Sequence, residues 1–133
     1  MDYQEIFTLP KTIAVVGLSD DPSRASFQVA KYLINKGYAV LPVNPKLNKV
    51  LGQKSYPNIT SVPVDIKIDI VNVFRRSDQI PFIIKDIIKS HRKPLIWLQE
   101  AIENSEAEIL ASHNNLEMIS DLCIMKTHHH YLP

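Results

Sequence analysis

Apolar residues along this chain form two alternating patterns, short continuous runs and longer stripes at helical spacing. The runs are rich in β-branched residues and are mostly bounded by Gly, Pro, Asn or charged residues. Such runs are typical of strands buried on both faces of a parallel sheet. We therefore predict five strands, which cover residues 12–17, 38–43, 69–74, 95–98 and 116–119.

Helices are predicted between the strands, where apolar residues recur every three or four positions. Ser77 is the predicted N-cap of the second helix, Pro81 fits its first turn, and the third helix is expected over 104–112. The middle of the chain, 46–65, shows only turn signals around a short extended piece. The apolar stripes are Phe27, Ala30, Leu33 and Ile34, then Ile80, Ile83, Ile84, Ile87 and Ile88, then Ala107, Leu110 and Ala111.

Strands that alternate with helices through short connections predict parallel β-α-β units with right-handed crossovers. The expected fold is a Rossmann-like, doubly wound open parallel sheet of about five strands with helices on both faces, because a closed eight-unit barrel needs about twice this length. A chain of 133 residues has room for one domain, so 1–133 is predicted to be a single domain. Ligands of such sheets bind outside the carboxyl ends of the strands, where the strand order reverses.

Composition narrows the function classes. Fifteen basic and 14 acidic residues give a net charge of +1, which does not suggest a nucleic-acid surface. No apolar run approaches the roughly 20 residues of a membrane span, and the acidic N-terminus is unlike a secretory signal. The single cysteine cannot form an intrachain disulfide. We expect a cytoplasmic protein whose partner is a small molecule, neither nucleic acid nor membrane, with an oligomeric state that the sequence does not indicate.

A candidate phosphate loop follows the first strand. Gly17 allows the backbone to approach a phosphate closely, and free N–H groups at a helix N-terminus favour an anion. Serine hydroxyls add donors, and Arg24 can pair with a phosphate in a fork. The alternative is that Gly17 only makes a tight turn and a serine only caps the helix. The candidate residues of this loop are Gly17, Leu18, Ser19, Arg24 and Ser26.

The same region lacks the features of a nicotinamide or flavin site. Such a site has G-x-G-x-x-G after the first strand and an acidic residue after the second, which binds the ribose diol. Here Gly17 stands alone and the second strand ends in Pro42-Val43-Asn44-Pro45. The lysine loop of nucleotide hydrolases is also absent. An NAD(P)-binding protein is therefore an alternative that these residues disfavour.

Further candidates follow the other strands. Phe74 and Arg75 come after the third strand, and an aromatic ring beside guanidinium groups suits an adenine ring with phosphates. Lys46 could add to the same positive wall, and Gln99 follows the fourth strand. The alternative for each of these residues is an ordinary solvated surface.

The residues also form a longer pattern. The segment 15–26 has the form V-V-G-x-S-x-x-P-x-R-x-S. Further blocks are Tyr32-Leu33, Gly37-Tyr38, Pro42-Val43-Asn44-Pro45, Leu51-Gly52, Tyr56-Pro57, Asp69-Ile70-Val71, Val73-Phe74-Arg75-Arg76, Trp97-Leu98-Gln99, and the spacing of Asp121, Cys123 and His128. Together these blocks resemble the small stand-alone CoA-binding domain family, which is related to the nucleotide-binding domain of the succinyl-CoA synthetase α subunit. The resemblance covers nearly the whole chain.

This resemblance implies that the ligand is coenzyme A. It implies that Gly17, Leu18, Ser19 and Arg24 meet the pyrophosphate, that Val43, Asn44, Pro45 and Lys46 line the adenosine side, that Phe74 and Arg75 form the opposite wall, and that Gln99 lies nearer the pantetheine arm. The chain departs from the family pattern at three positions. Ala101 replaces a glycine, and Leu122 and Thr127 replace an arginine and a glutamate, so a role that needs those charges is not expected here.

We expect a binding or regulatory module without catalytic residues. One alternative is an enzyme or enzyme subunit that acts on acyl-CoA, although no histidine follows a suitable glycine loop. Another is an interaction domain with a vestigial ligand site, which the intact set of Gly17, Ser19, Arg24 and Asn44-Pro45 disfavours.

Two features near the C-terminus have competing interpretations. Cys123 could exchange with the thiol of CoA, or it could be a small buried hydrophobic residue. The run His128-His129-His130 is expected to be a flexible tail, since three consecutive histidines do not easily converge on one metal ion. No metal site is predicted.

Overall fold

The computed structural model describes residues 1–8 and 11–132. Its elements, in chain order, are helix α1 (Tyr3–Thr8), strand β1 (Thr12–Val16), α2 (Ala25–Asn35), β2 (Ala39–Val43), β3 (Lys49–Val50), β4 (Gln53–Lys54), β5 (Ile70–Val73), a 3₁₀ turn (Ser77–Gln79), α3 (Ile80–Lys89), β6 (Leu95–Leu98), α4 (Ser105–His113), β7 (Met118–Ile119) and α5 (Ile124–Tyr131).

The main sheet has five parallel strands in the order β2-β1-β5-β6-β7. The chain moves outward from β1 to β2 and later returns to the other side of β1 as β5, so the strand order reverses between β1 and β5. The carboxyl ends of these two strands are therefore the expected place for a ligand. Strands β3 and β4 form a separate antiparallel hairpin. This architecture confirms the predicted Rossmann-like doubly wound fold.

Both faces of the sheet are buried. Ala14 and Val16 of β1 face a cluster that includes α3 and α4, and Ile13 and Val15 face a second cluster that includes α1, α2 and α5. Burial on both faces explains why the central strands contain hardly any polar residues. None of the described helices is long and apolar enough to cross a bilayer.

Most predicted elements are confirmed. All five strands and all three helices are present, with strand ends within two residues of the prediction, and Pro81 lies in the first turn of α3. The predicted N-cap Ser77 is wrong. Ser77 begins the 3₁₀ turn, the N-cap of α3 is Gln79, and the Ser77 hydroxyl accepts a hydrogen bond from the Glu103 N–H. Helix α1 was not predicted.

The prediction of a flexible histidine tail is also wrong. Residues His128, His129 and His130 belong to α5, and only 4% of the His128 surface is exposed. The Nδ1 of His128 lies 2.8 Å from the Tyr32 hydroxyl, and its ring packs edge-on against Phe7 and Tyr38. This packing joins α5 to α1 and α2, which the sequence alone did not indicate.

Acid should destabilise the protein through His128. Burial, with smaller contributions from the charges of Lys36 and His129, holds the pKa of His128 below its ordinary value of 6.5. As pH falls, the unfolded chain therefore binds a proton at His128 before the folded chain does. The contribution of neutral, buried His128 to the unfolding free energy is fully present above about pH 6.5 and is lost as pH falls below that value. The loss is at most about 1.4 kcal/mol per pH unit. We expect His128→Gln to flatten the fall in unfolding free energy between pH 7 and pH 5, measured by urea titration.

The matched control is His130→Gln, because His130 is exposed on the same helix and is not among the groups that lower the pKa of His128. That variant should keep the pH dependence of the wild type. An equal pH slope in His128→Gln and wild type would contradict the assignment.

The loop over 58–66 is fixed to the protein by two charged side chains. The Asp86 carboxylate accepts hydrogen bonds from the Ile59 and Thr60 N–H groups and from the Thr60 hydroxyl. The Arg92 guanidinium donates to four carbonyl oxygens, those of Ile59, Val62, Pro63 and Ile66. Charge-assisted bonds are the stronger ones in proteins. They hold Asn58 at the edge of a groove that opens at the carboxyl ends of β1 and β2.

Candidate functional site

A groove of about 480 Å³ opens at the carboxyl ends of β1 and β2, on the sheet face that α3 covers. Its volume lies in the usual range for small-molecule sites. Four residues that the sequence analysis selected, Val43, Pro45, Lys46 and Arg75, meet in this groove. The other lining residues are Val16, Pro57, Asn58, Gln79, Phe82, Ile83 and Asp86.

The groove contains two cationic side chains, Lys46 and Arg75. Among the described residues, neither Lys46 nor Arg75 has a carboxylate within 4.0 Å; the ion pairs lie elsewhere. Asp86 is the acidic residue of the groove wall, and both of its oxygens accept hydrogen bonds from the neighbouring loop. An anionic ligand would supply the missing partner for the two cations.

The predicted phosphate loop begins directly after Val16, which lines the groove, but none of Gly17, Leu18, Ser19, Arg24 and Ser26 lines the groove itself. The Ser19 N–H donates to the Ser26 hydroxyl at 3.0 Å, and the Asp21 N–H donates to the Ser19 hydroxyl at 3.0 Å. Arg24 is the N-cap of α2 and makes no side-chain capping bond. The N–H groups in the first turn of α2 therefore have no capping side chain, a common arrangement for binding an anion.

An acidic side chain also shapes this loop. Hydrogen bonds from the Ser23 N–H and hydroxyl hold the pKa of Asp21 below its ordinary value of 3.8, and the charge of Arg24 adds to this effect. Asp21 is therefore ionised at neutral pH. Its negative charge lies close to the place where an anion is expected, and Arg24 offsets it.

Gly17 is required by the fold itself. Its φ is +86°, and its N–H donates to the Val43 carbonyl at 2.9 Å. A Cβ at this position would lie closer than 3.0 Å to the Phe74 carbonyl oxygen. The tight turn, which was the alternative interpretation of Gly17, is therefore present. The Phe74 carbonyl, directly after β5, leaves no room for a side chain at this turn. The predicted close approach of a phosphate to Gly17 stays a prediction.

Two of the selected side chains point into the protein. Leu18 is fully buried in the cluster that includes α1, α2 and α5. Phe74 is partly buried against the same cluster and does not line the groove. Leu18 has no surface exposed to solvent, and Phe74 has only part of its surface exposed. Contact of these two residues with a ligand stays a prediction.

Asn44 fixes the loop after β2. Its Nδ2 donates to the Leu18 carbonyl at 3.0 Å, and its Oδ1 accepts from the Lys46 N–H at 3.0 Å. Its carbonyl accepts from the Ser55 hydroxyl. The side chain thereby joins the phosphate loop to the loop that carries Pro45 and Lys46, which lie at the groove.

Gln99 belongs to a buried network at the end of β6. Its Oε1 accepts from Asn72 Nδ2 at 2.9 Å and from the Ile124 N–H at 3.0 Å. Gln99 is 6% exposed, so its main visible role is to tie β5 and β6 to the start of α5. Contact with a pantetheine arm stays a prediction.

Cys123 is the N-cap of α5 and is buried in the same apolar cluster as Phe7 and Trp97. This environment agrees with the packing interpretation, and thiol exchange stays a prediction. Within residues 1–8 and 11–132, no three His, Cys, Asp or Glu side chains converge in a way that could hold a metal ion.

The α3 side of the groove was not predicted from the sequence. Gln79, Phe82 and Ile83 line it, and Phe82 is 65% exposed. The sequence carried one signal, because Phe82 does not fall on the apolar stripe of α3 that begins at Ile80 and is therefore not expected in the core.

Comparisons with known proteins identify related sequences and structures. The model of a family described as the CoA binding domain matches residues 11–129. The uncharacterized protein YneT of Bacillus subtilis (strain 168) is 39% identical over 127 residues, which cover 96% of this chain and 92% of YneT. A solved hypothetical protein from Pyrococcus horikoshii OT3 is 37% identical with a TM-score of 0.91, over 98% of this chain and 90% of that one.

A more distant relative is an ADP-forming acetate–CoA ligase of Methanocaldococcus jannaschii. It is 25% identical over 138 residues, which cover 96% of this chain and 19% of the ligase. The chain therefore spans about a fifth of that enzyme.

Proposed function

Because this chain belongs to the CoA binding domain family, we propose that it binds coenzyme A, free or as an acyl thioester, at the carboxyl ends of β1, β2 and β5. In this proposal residues 1–133 form one domain that acts in the cytoplasm as a binding or regulatory module rather than as an enzyme. Its partner is this small molecule, with neither nucleic acid nor membrane involved.

The observation that carries the proposal is the positive groove at the strand-order reversal. Lys46 and Arg75 have no carboxylate partner among the described residues, and the Asn44 amide joins the loop that carries Lys46 to the Leu18 carbonyl in the loop before α2. Coenzyme A has the matching chemistry, since it joins an aromatic base to several phosphates. Its adenosine would occupy the groove, and its pyrophosphate would lie across Gly17, Ser19 and the start of α2.

The pantetheine arm would then run from the phosphate loop towards Gln99. The buried Gln99 network holds the ends of β5 and β6 in place, so this side chain would serve mainly as a rigid support. Cys123 lies at the start of α5, where the network ends. The same direction would bring the thiol of CoA towards this part of the sheet edge.

The residue after β2 argues against NAD or NADP as the ligand. A dinucleotide site usually places a carboxylate there for the ribose diol. Asn44 occupies that place, and both ends of its amide already make hydrogen bonds within the protein. The side chain therefore has little capacity left for a ribose.

We expect coenzyme A to raise the melting temperature by several degrees, because a ligand that binds only the native state stabilises it by mass action. At 100 times the dissociation constant the gain is about 2.7 kcal/mol. The measurement is a thermal melt with CoA, NAD or NADP at equal concentrations. CoA should shift the midpoint, and the two dinucleotides should not.

An equal shift with NAD and with CoA would overturn the proposal, and so would the absence of any shift with CoA. Calorimetry with CoA and acetyl-CoA, together with the mass of any small molecule released from the purified protein, would separate a free-CoA module from one that selects a thioester.

A further inference from the structure

Phe82 is the aromatic side chain that lines the groove, and its exposure is unusual for a phenylalanine. It lies in the first turn of α3 and is 65% exposed. We propose that Phe82 forms the adenine-binding wall of the site, stacking on the base of the bound coenzyme A. This inference rests on the proposed function, and it concerns a residue that the sequence analysis did not select.

The core does not need this side chain. Helix α3 buries Ile80, Ile84 and Ile87, each of which is fully inaccessible to solvent. Phe82 is two residues after Ile80, about 200° around the helix, and therefore points away from the sheet. Its large apolar surface therefore contributes little to folding, and a ligand contact would explain why a phenylalanine stands at this position.

The surroundings of Phe82 suit a flat ring. Pro45 and Pro57 lie in the same groove as Ile83 and Phe82, so apolar surface comes from the β2 side and from α3. Aromatic rings and bases stack favourably on such surfaces, and stacking tolerates different bases because each has a π face. The groove is therefore shaped for a base, while Lys46 and Arg75 in its lining suit the phosphates attached to that base.

Phe82 lines the groove and stays largely exposed to solvent. Phe82 also borders a second depression, which contains Lys85 and Lys89. The Lys85 ammonium lies 5.9 Å from the ring centroid, and Lys85 does not line the groove itself. The cation near the ring therefore belongs to the second depression and does not occupy the groove lining.

In this proposal the aromatic contact with the adenine comes from Phe82 and not from Phe74. The sequence analysis placed Phe74 against the adenine, but Phe74 packs into the cluster that includes α1, α2 and α5. Phe82 takes that role on the opposite face of the sheet, beside Arg75.

The test is calorimetry with three probes on the wild type and on Phe82→Ala. The probes are CoA, adenosine 3′,5′-bisphosphate, which contains the base, and 4′-phosphopantetheine, which lacks it. We expect Phe82→Ala to weaken CoA and the bisphosphate about tenfold, the scale of one base stacking on one aromatic ring. The affinity for 4′-phosphopantetheine should not change. Phe82→Tyr should bind all three probes as the wild type does.

The matched control is Ile109→Ala, which removes another exposed large apolar side chain from a different helix, α4. It should leave all three affinities unchanged. Equal losses for CoA and 4′-phosphopantetheine in Phe82→Ala, or unchanged binding of the bisphosphate, would overturn the assignment. A change of sedimentation mass in Phe82→Ala with unchanged affinities would also overturn it, in favour of a contact between two copies of the chain.

The same experiment separates this inference from the proposed function. If the wild type binds none of the three probes, the proposed function fails. If the wild type binds CoA and Phe82→Ala binds it equally well, the function stands and the stacking role of Phe82 fails.

Discussion

Gly17→Ala is expected to lower the free energy of unfolding by about 2–6 kcal/mol. The φ of +86° costs an L-residue about 1–3 kcal/mol, and a Cβ would overlap the Phe74 carbonyl oxygen at the end of β5, an overpacking cost of about the same size. Phe74 directly follows β5 and its N–H donates to the Val16 carbonyl at 2.8 Å, so a shift of this residue would disturb the end of the β1–β5 pairing. Urea titration followed by far-ultraviolet circular dichroism measures the loss.

Gly37→Ala is the matched control. Gly37 also has a positive φ, +97°, but nothing lies within 4 Å of a Cβ added there. It should show the conformational cost without the steric one, and its loss should be clearly smaller than that of Gly17→Ala. Equal losses of unfolding free energy at the two positions would mean that the Phe74 carbonyl shifts at little cost, and would contradict a steric contribution at Gly17.

This result bears on how the phosphate loop is tested. A loss of CoA binding in a Gly17 variant would not show that a phosphate touches Gly17, because the variant also disturbs the end of β5. A variant of an exposed residue in the loop is needed to locate the pyrophosphate. Arg24 fulfils that condition, since its side chain is exposed and makes no capping bond.

The strands could be predicted because their burial pattern is visible locally. The segment 95–98, Leu-Ile-Trp-Leu, is apolar at every position, as a strand covered on both faces must be. The site region followed from the same reasoning, since the ends of parallel strands meet at one edge of the sheet. Val43, Pro45, Lys46 and Arg75 do lie together there.

The elements that were missed depend on distant contacts. Helix α5 contains three histidines and little apolar surface, so its own sequence does not favour a helix. Its stability comes from His128 packing against Phe7 and Tyr38, which lie about 120 and 90 residues earlier in the chain. The side-chain directions at the site were also missed. Side chains alternate between the two faces along a strand, so Phe74 lies on the same face as Ile70 and away from the groove.

Arg24→Ala is expected to weaken coenzyme A binding about 10- to 150-fold. A hydrogen bond to a charged group contributes about 1.5–3 kcal/mol, and the variant would also leave the ionised Asp21 uncompensated beside the bound phosphates. The unfolding free energy should hardly change, because the side chain is exposed. Calorimetry at two salt concentrations gives the measurement, and binding to the variant should depend less on salt because one ionic contact is missing.

Lys31→Ala provides the control, since it removes an equal charge from an exposed position further along α2. If long-range attraction alone were responsible, Lys31→Ala and Arg24→Ala would weaken binding similarly. If Arg24 holds the pyrophosphate directly, only Arg24→Ala should do so, and Arg24→Lys should recover part of the affinity, because it restores the charge but not the paired donors of a guanidinium. An unchanged affinity in Arg24→Ala would place the pyrophosphate elsewhere, with Lys46 and Arg75 in the groove as its remaining cationic partners.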